Sequence, residues 1–289
     1  MTLTTTTPAH LDRPALTAPA IPLPPRPSPT ARYFRETGLL VGRALRTIPR
    51  VPERLSDVTI QPIVFTLLFL YVLGSAIDIP GMRYQDYLLP GLIGQALAFS
   101  IIGAGVATAT DFSSGVVDRF RSLPITRLAV ISAQVIGQML EQILGMSLVI
   151  GLGLLLGWRP DLTPVELVEL VGLVLLGLFA FTWVGVLMGM IVRSSDAMQG
   201  LGFALVFPLT FLAGTFVPIE GMSAIPRAIG QWDPISAFVA AIRQVSQGTE
   251  SHGSWPLEHP VPAMVAWCVV IIAVCVPLAL RRFRTTTAG

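Results

Sequence analysis

Residues 167–192 read LVELVGLVLLGLFAFTWVGVLMGMIV, with a single charge, Glu169, close to one end. Wound as an α-helix this stretch is about 39 Å long, enough to cross a hydrocarbon core of about 30 Å. A helix apolar on every side cannot be a surface helix of a water-soluble domain. Five more stretches are long and apolar enough to do the same: residues 58–77, 87–109, 128–156, 198–216 and 261–280. Over the whole chain of 289 residues 53% are hydrophobic and 12% charged, about half the charged share of ordinary soluble domains. The fold expected is an all-α integral membrane protein with six transmembrane helices.

The flanks differ from the spans. Residues 1–30 are rich in Thr, Pro and Ala, contain no apolar run fit for a cleaved signal peptide, and read as a disordered tail. Residues 31–57 hold an amphipathic helix. Tyr33, Phe34, Thr37, Leu40, Val41, Ala44, Leu45 and Ile48 share one arc, and Arg32, Arg35, Arg43, Arg46 and Arg50 the other. That pattern suits a helix lying in the membrane interface, or one packed on protein.

Arg placement sets the orientation. The first 57 residues hold eight of the 19 Arg, residues 110–127 three, residue 193 one and the C-terminal tail three, whereas Arg83, Arg159, Arg227 and Arg243 fall on the opposite side. The positive-inside rule then places both termini in the cytoplasm. The first cytoplasmic loop carries Asp111, Asp118, Arg119, Arg121 and Arg127. The outer segment 217–260 is too apolar for a plain loop, and Pro218, Pro226 and Pro234 cut it into pieces too short to span. It is expected to form a re-entrant or interfacial helical hairpin.

The chain contains no Lys, so it cannot hold a phosphate-cradling loop of the G-x-x-x-x-G-K-[ST] type. No cofactor is expected in it, and ATP and Mg, if used, bind a partner subunit. His10, His252 and His259 lie outside all six stretches, which excludes H-E-x-x-H metalloproteases, His-assisted serine proteases and axial haem ligation within the spans. Cys268 and Cys275 are seven apart on one helix, about 10 Å along its axis, too far for a disulfide. Metal ligands are too few to form a cluster.

Transport or scaffolding remains. Gln134, Gln138, Glu141 and Gln142 share one side of the third span. Such a stripe either lines a translocation path or joins helices by hydrogen bonds. Gly153 with Gly157, and Gly185 with Gly189, each form G-x-x-x-G, which suits a dimer face or close packing inside one bundle. Pro208 removes a backbone donor within the fifth span.

Two segments resemble a known family. DFSSGVVDRFRSLPITRLAVISAQV, residues 111–135, looks like the signature region of ABC-2 type exporter permeases. FPLTFLAGTFVPIEGMSAIPRAIGQWDPISAFVAAIRQVSQG, residues 207–248, is similar to the segment before the last span in the same family, closest to its daunorubicin-resistance branch of drug and lipid exporters. The resemblance covers about residues 31–284 and implies an ABC-2 type transmembrane domain over 58–284, with 285–289 as a tail. It implies that Gly115, Asp118, Arg119, Arg121 and Pro124 form the coupling contact with an ATPase subunit. It also implies that Phe207, Pro208, Gly214, Pro218, Pro234 and Ile235 determine the shape of the outer hairpin.

The partners it implies are a P-loop ATPase, a second permease chain, alike or paralogous, the lipid bilayer and a hydrophobic small molecule or lipid, with no nucleic acid. The location implied is a bacterial cytoplasmic membrane. The function expected is the membrane-spanning permease of an ATP-driven exporter of drugs, antibiotics or lipids, without an ATP site of its own. A non-transporting membrane anchor and an ion-coupled secondary transporter are the alternatives.

Overall fold

The computed structural model describes residues 28–47, 60, 63–74, 82–115, 127–192, 194–249 and 253–285, and regular structure among them is helical. The helices of nine residues or more are α1 (Pro29–Thr47), α2 (Ile63–Val72), α3 (Tyr84–Ser113), α4 (Arg127–Leu155), α5 (Pro164–Ile191), α6 (Ser195–Leu212), α7 (Ala224–Trp232), α8 (Pro234–Gln247) and α9 (Pro260–Thr285). Five of them, α3, α4, α5, α6 and α9, are long and apolar enough to cross a membrane. Of the first expected span, α2 is a short apolar helix that ends in a π-helical turn, Phe69–Leu73. Residues 58, 59, 61, 62 and 75–77 lie outside the described residues, as do residues 1–27 and 48–57.

Local chemistry fixes the ends. Thr163 and Glu166 form a reciprocal capping box at the start of α5, with the Thr163 N–H donating to Glu166 Oε2 at 2.8 Å and Pro164 in the first turn. Ser194 caps α6 by accepting from the Ala197 N–H. Gly115, at φ +71°, turns the chain out of α3 in a left-handed conformation that glycine adopts without strain. The helix therefore extends past the expected boundary at Ala109, and Asp111 belongs to its last turn rather than to the loop.

α3 is the axis of the bundle. It packs against α4, α5, α6 and α8, and 72% of its most apolar stretch is buried, against 22% in α6. Its densest contact is with α5, where Gly185 lies against the carbonyl of Ile101 and Gly189 against that of Gly105, so closely that a Cβ at either would strike the oxygen. This G-x-x-x-G pair works inside the bundle. α9 closes the far side against α5 and α8, with Cys268 and Cys275 both buried and both free thiols.

α1 lies along α4, and the Tyr33 hydroxyl donates to Ser132 Oγ at 2.9 Å. Thr37 is buried, while Phe34, from the same predicted apolar arc, is 68% exposed. Part of the arc thus covers protein and part is free to meet another apolar phase.

The hairpin of two short helices is present as α7 and α8, of 9 and 14 residues. Pro226, expected to break the chain, sits instead at the third position of α7, where backbone N–H groups have no intrahelical partner to lose. Pro234 does separate the two helices. It occupies the first position of α8, whose preceding residue Asp233 accepts from the Ile235 N–H at 2.9 Å. Residues 235–242 are all buried. Arg243 donates to the carbonyls of Tyr87, at 3.0 Å, and Gly214, at 2.8 Å, and lies 3.6 Å over the Tyr87 ring. One guanidinium thereby fastens α8, α3 and the turn after α6 through charge-assisted bonds and a cation–π contact. Gly214 makes that turn at φ +67°.

Two outcomes are expected. Gly185→Ala lowers the stability of the purified protein by about 1–3 kcal/mol by overpacking. Gly172→Ala on the same helix, where a Cβ meets nothing within 4 Å, leaves the thermal midpoint unchanged or slightly raised. Equal effects would show that the α3–α5 approach is not tight. Asp233 gives a pH signature. Burial, only partly offset by the Ile235 N–H, pushes its carboxyl up to about 7, so between about pH 4 and 7 the folded chain holds a proton that the unfolded chain releases. Stability then falls as pH rises across that window and levels off above it. Asp233→Asn, which keeps the cap acceptor, flattens the profile in thermal denaturation between pH 5 and 8.

Candidate functional site

At about 100° per residue, α3 has two opposed working faces. Ile101, Ala104, Gly105 and Thr108 form the face toward α5. On the other side Gln95, Phe99, Gly103, Val106 and Thr110 form one wall of a cleft of about 350 Å³. The facing wall is α4, with Gln138, Glu141, Gln142, Met146 and Val149; α2 adds Phe65 and Thr66, and α6 adds Gln199 and Phe203. From Leu92 to Thr110 the α3 wall is about 27 Å long by helical rise. It reaches within two turns of Gly115.

The walls have two characters. Phe99 and Phe203 stand 5.8 Å apart, ring to ring, and Phe65 continues the apolar surface. Across from them lies a strip of amides with one carboxylate. Gln142 can come this close because residue 103 has no side chain: a Cβ there would stand 3.0 Å from Gln142 Nε2. Gln95 is 4% exposed, and its amide nitrogen is one of ten buried side-chain polar atoms with no hydrogen-bond partner among the described residues.

The predicted stripe on α4 divides between its two expected roles. Gln134 donates to Thr108 Oγ1 of α3 at 3.3 Å and joins two helices. Gln138, Glu141 and Gln142, one to two turns further along, line the cleft. Of the predicted coupling residues, Gly115 ends α3, while Asp118, Arg119, Arg121 and Pro124 lie outside the described residues. The hairpin residues gather at the other end. Phe207 meets Phe211 in a tilted ring pair at 4.9 Å, Pro208 sits inside α6 without ending it, Pro218 precedes a 3₁₀ turn, and Ile235 is buried.

Gln95, Phe99, Gln199 and Phe203 were not singled out from the sequence. The rule that selects polar residues within apolar spans applies to Gln95 as well as to Gln134. It is the single amide within the expected span 87–109 rather than part of a stripe, which is why it escapes a search for clusters.

Comparison with known proteins bears on what such a bundle is. The profile of the ABC-2 type transporter family matches residues 35–246. The chain belongs to this family. It is 28% identical over 246 residues to a daunorubicin resistance ABC transporter permease protein of Streptomyces coeruleorubidus, with 85% of each chain covered. It is 27% identical over 270 residues to a doxorubicin resistance ABC transporter permease protein of Mycobacterium tuberculosis, with 87% of each covered. An inner membrane transport permease of Escherichia coli is 28% identical over 217 residues, 71% of this chain and 55% of that one. The ABC-2 resemblance of residues 111–135 and 207–248 is thus borne out, and this ABC-2 chain is a multi-pass membrane protein by its family and its apolar helices.

Removing the interhelical bond separates the two parts of the α4 stripe. Gln134→Leu is expected to cost about 0.5–1.5 kcal/mol, read as a lower thermal midpoint in detergent. Gln138→Leu, whose side chain faces the cleft, leaves the midpoint nearly unchanged. The reverse order would place the structural contact at Gln138.

Proposed function

We propose that this ABC-2 chain is the membrane-spanning permease of an exporter driven by a separate ATPase, moving hydrophobic or amphipathic compounds such as drugs, antibiotics or lipids. The observation that carries this reading is the match over 85% of the chain to a permease named for daunorubicin resistance. The cleft between α2, α3, α4 and α6 supports it, since its aromatic walls and amide strip suit a ligand with an apolar body and a few polar atoms.

On this reading ATP and Mg bind the partner subunit, and this chain holds no cofactor. The membrane domain is residues 58–284, with residues 1–30 and 285–289 as tails and both termini in the cytoplasm. Residues 58–77 supply the first of six spans, and α1 lies at the interface. The hairpin α7–α8 re-enters the outer face; its helices are too short to cross, yet residues 235–242 are buried. Such placement inside protein is the condition under which irregular backbone is tolerated at membrane depth. The membrane is the cytoplasmic membrane of a bacterium, and the working unit is two permease chains with two ATPase subunits.

Coupling runs through the loop that joins α3 to α4. Gly115, Asp118, Arg119, Arg121 and Pro124 meet the ATPase there, and closure of the ATPase dimer shifts α3 and α4, the two walls of the cleft, as a two-state element. α1, fastened to α4 through Tyr33 and Ser132, moves with it.

Charge reversal tests the loop. With Arg119→Glu or Arg121→Glu, membrane insertion persists while export and substrate-stimulated ATP hydrolysis fall at least about tenfold, as for a disrupted interfacial ion pair. The tagged wild-type chain purified in mild detergent brings an ATP-hydrolysing partner with it. Normal export in both variants would remove the coupling assignment, and a preparation without ATPase across several detergents would remove the exporter reading.

A further inference from the structure

The four glycines of α3 answer to different neighbours. A Cβ at Gly91 would strike the Thr215 carbonyl, at Gly94 the Val239 side chain and at Gly105 the Met198 side chain. Those three let packed elements come close. Gly103 differs. A Cβ there meets a single atom within 4 Å, Gln142 Nε2 at 3.0 Å, and both residues line the cleft. Glycine inside a helix is destabilising relative to alanine, and no backbone or apolar neighbour requires it at this position. Helix packing therefore does not account for Gly103.

The separation of the two walls is pinned on either side of this point. Toward one end Gln134 of α4 donates to Thr108 of α3 at 3.3 Å. Toward the other, the Leu89 side chain of α3 fills the place of a Cβ at Gly153 of α4. With the helices held at both ends, the side chains at 103 and 142 set how wide the cleft is between them. Gln142 is half-buried and its amide is not among the sealed polar atoms, so a molecule in the cleft can reach it. Phe99 lies one turn from Gly103 on the same face of α3, and its ring pairs with Phe203 of α6 at 5.8 Å. A volume of about 350 Å³ is within the range of small-molecule sites.

We propose that Gly103 is the size-determining position of this cleft: the space left by its missing side chain, bounded by the Gln142 amide, admits the fused-ring body of an amphiphile beside Phe99. The assignment rests on the permease reading above and adds what that reading lacks, a limit on the width of the compound moved. A side chain at 103 points into the cleft and competes with the ligand for the same volume. Sites of fixed width reject a body that is too wide for them, because the surrounding helices repack only at a cost in strain.

The test uses the purified full-length chain and two fluorescent probes: daunorubicin, four fused rings carrying a sugar, and proflavine, three fused aromatic rings without one. Gly103→Leu is expected to weaken daunorubicin binding at least about tenfold while proflavine affinity stays within about twofold. The thermal midpoint is unchanged or raised, since a helix former replaces glycine where nothing is displaced but the end of Gln142. Shortening the opposite side chain restores the width, so Gly103→Leu combined with Gln142→Ala recovers daunorubicin affinity to within about threefold of wild type, a coupling expected only of facing residues. If the Leu variant does not accumulate, Gly103→Ala carries the same comparison with a smaller loss. Equal loss of both probes with a lowered midpoint would mark Gly103 as a packing residue and overturn the proposal, as would unchanged affinity for both or no recovery in the double variant. Absence of saturable binding of either probe by the wild-type chain would overturn the cleft as a ligand site. These titrations need no ATPase. A chain that sorts the probes through residue 103 but never recruits an ATPase would remove the exporter reading and leave this assignment standing.

Discussion

The bundle depends on how closely α3 and α5 approach. Lipid chains are as apolar as Leu, so helices in a bilayer gain little from hiding apolar surface from one another, and they associate through close van der Waals contact. Gly185 and Gly189 permit that contact by letting the α5 backbone rest on the carbonyls of Ile101 and Gly105. Once one face of α3 is committed to α5, its opposite face is left to the cleft. The position of the cavity is thus a consequence of where the glycines stand on a neighbouring helix.

A second constraint operates at the end of the bundle that holds α7 and α8. Tyr84 and Tyr87 donate to the carbonyls of Phe216 and Gly214, and Arg243 donates to Tyr87 and Gly214. The turn after α6 has carbonyls with no helical partner, and donors from α3 and α8 satisfy them. Phe69 of α2 stacks on Phe216 at 4.0 Å. The irregular segment between α6 and α7 is therefore held by side chains from three helices, and it gives the long α6, mostly exposed along its length, a fixed anchor at one end.

Hydropathy made the long helices legible to within a few residues, and Pro234 marked the division of the hairpin. The family segments were legible too, because they are read as patterns and need no tertiary contact. Other features were hidden for physical reasons. The fate of the Gln stripe depends on which neighbour each side chain meets: Gln134 faces Thr108, while Gln138 and Gln142, one and two turns on, line the cleft. Pro226 looked like a breaker because its position within the first turn of α7 was not visible in the sequence. The helix of α1 was legible in the periodicity, but periodicity does not tell whether an apolar arc meets lipid or the side of α4.

The two thiols of α9 have a chemical consequence. Cys268 and Cys275 are enclosed against neighbouring helices, and the sequence has no other cysteine. The folded protein thus offers thiol-directed electrophiles no accessible cysteine, and water-borne oxidants have no thiol to start a sulfenic or disulfide cascade. A cysteine introduced on the wall of the cleft would be the one thiol within reach of a polar maleimide, and its rate of alkylation would report directly on when the cleft is open to water.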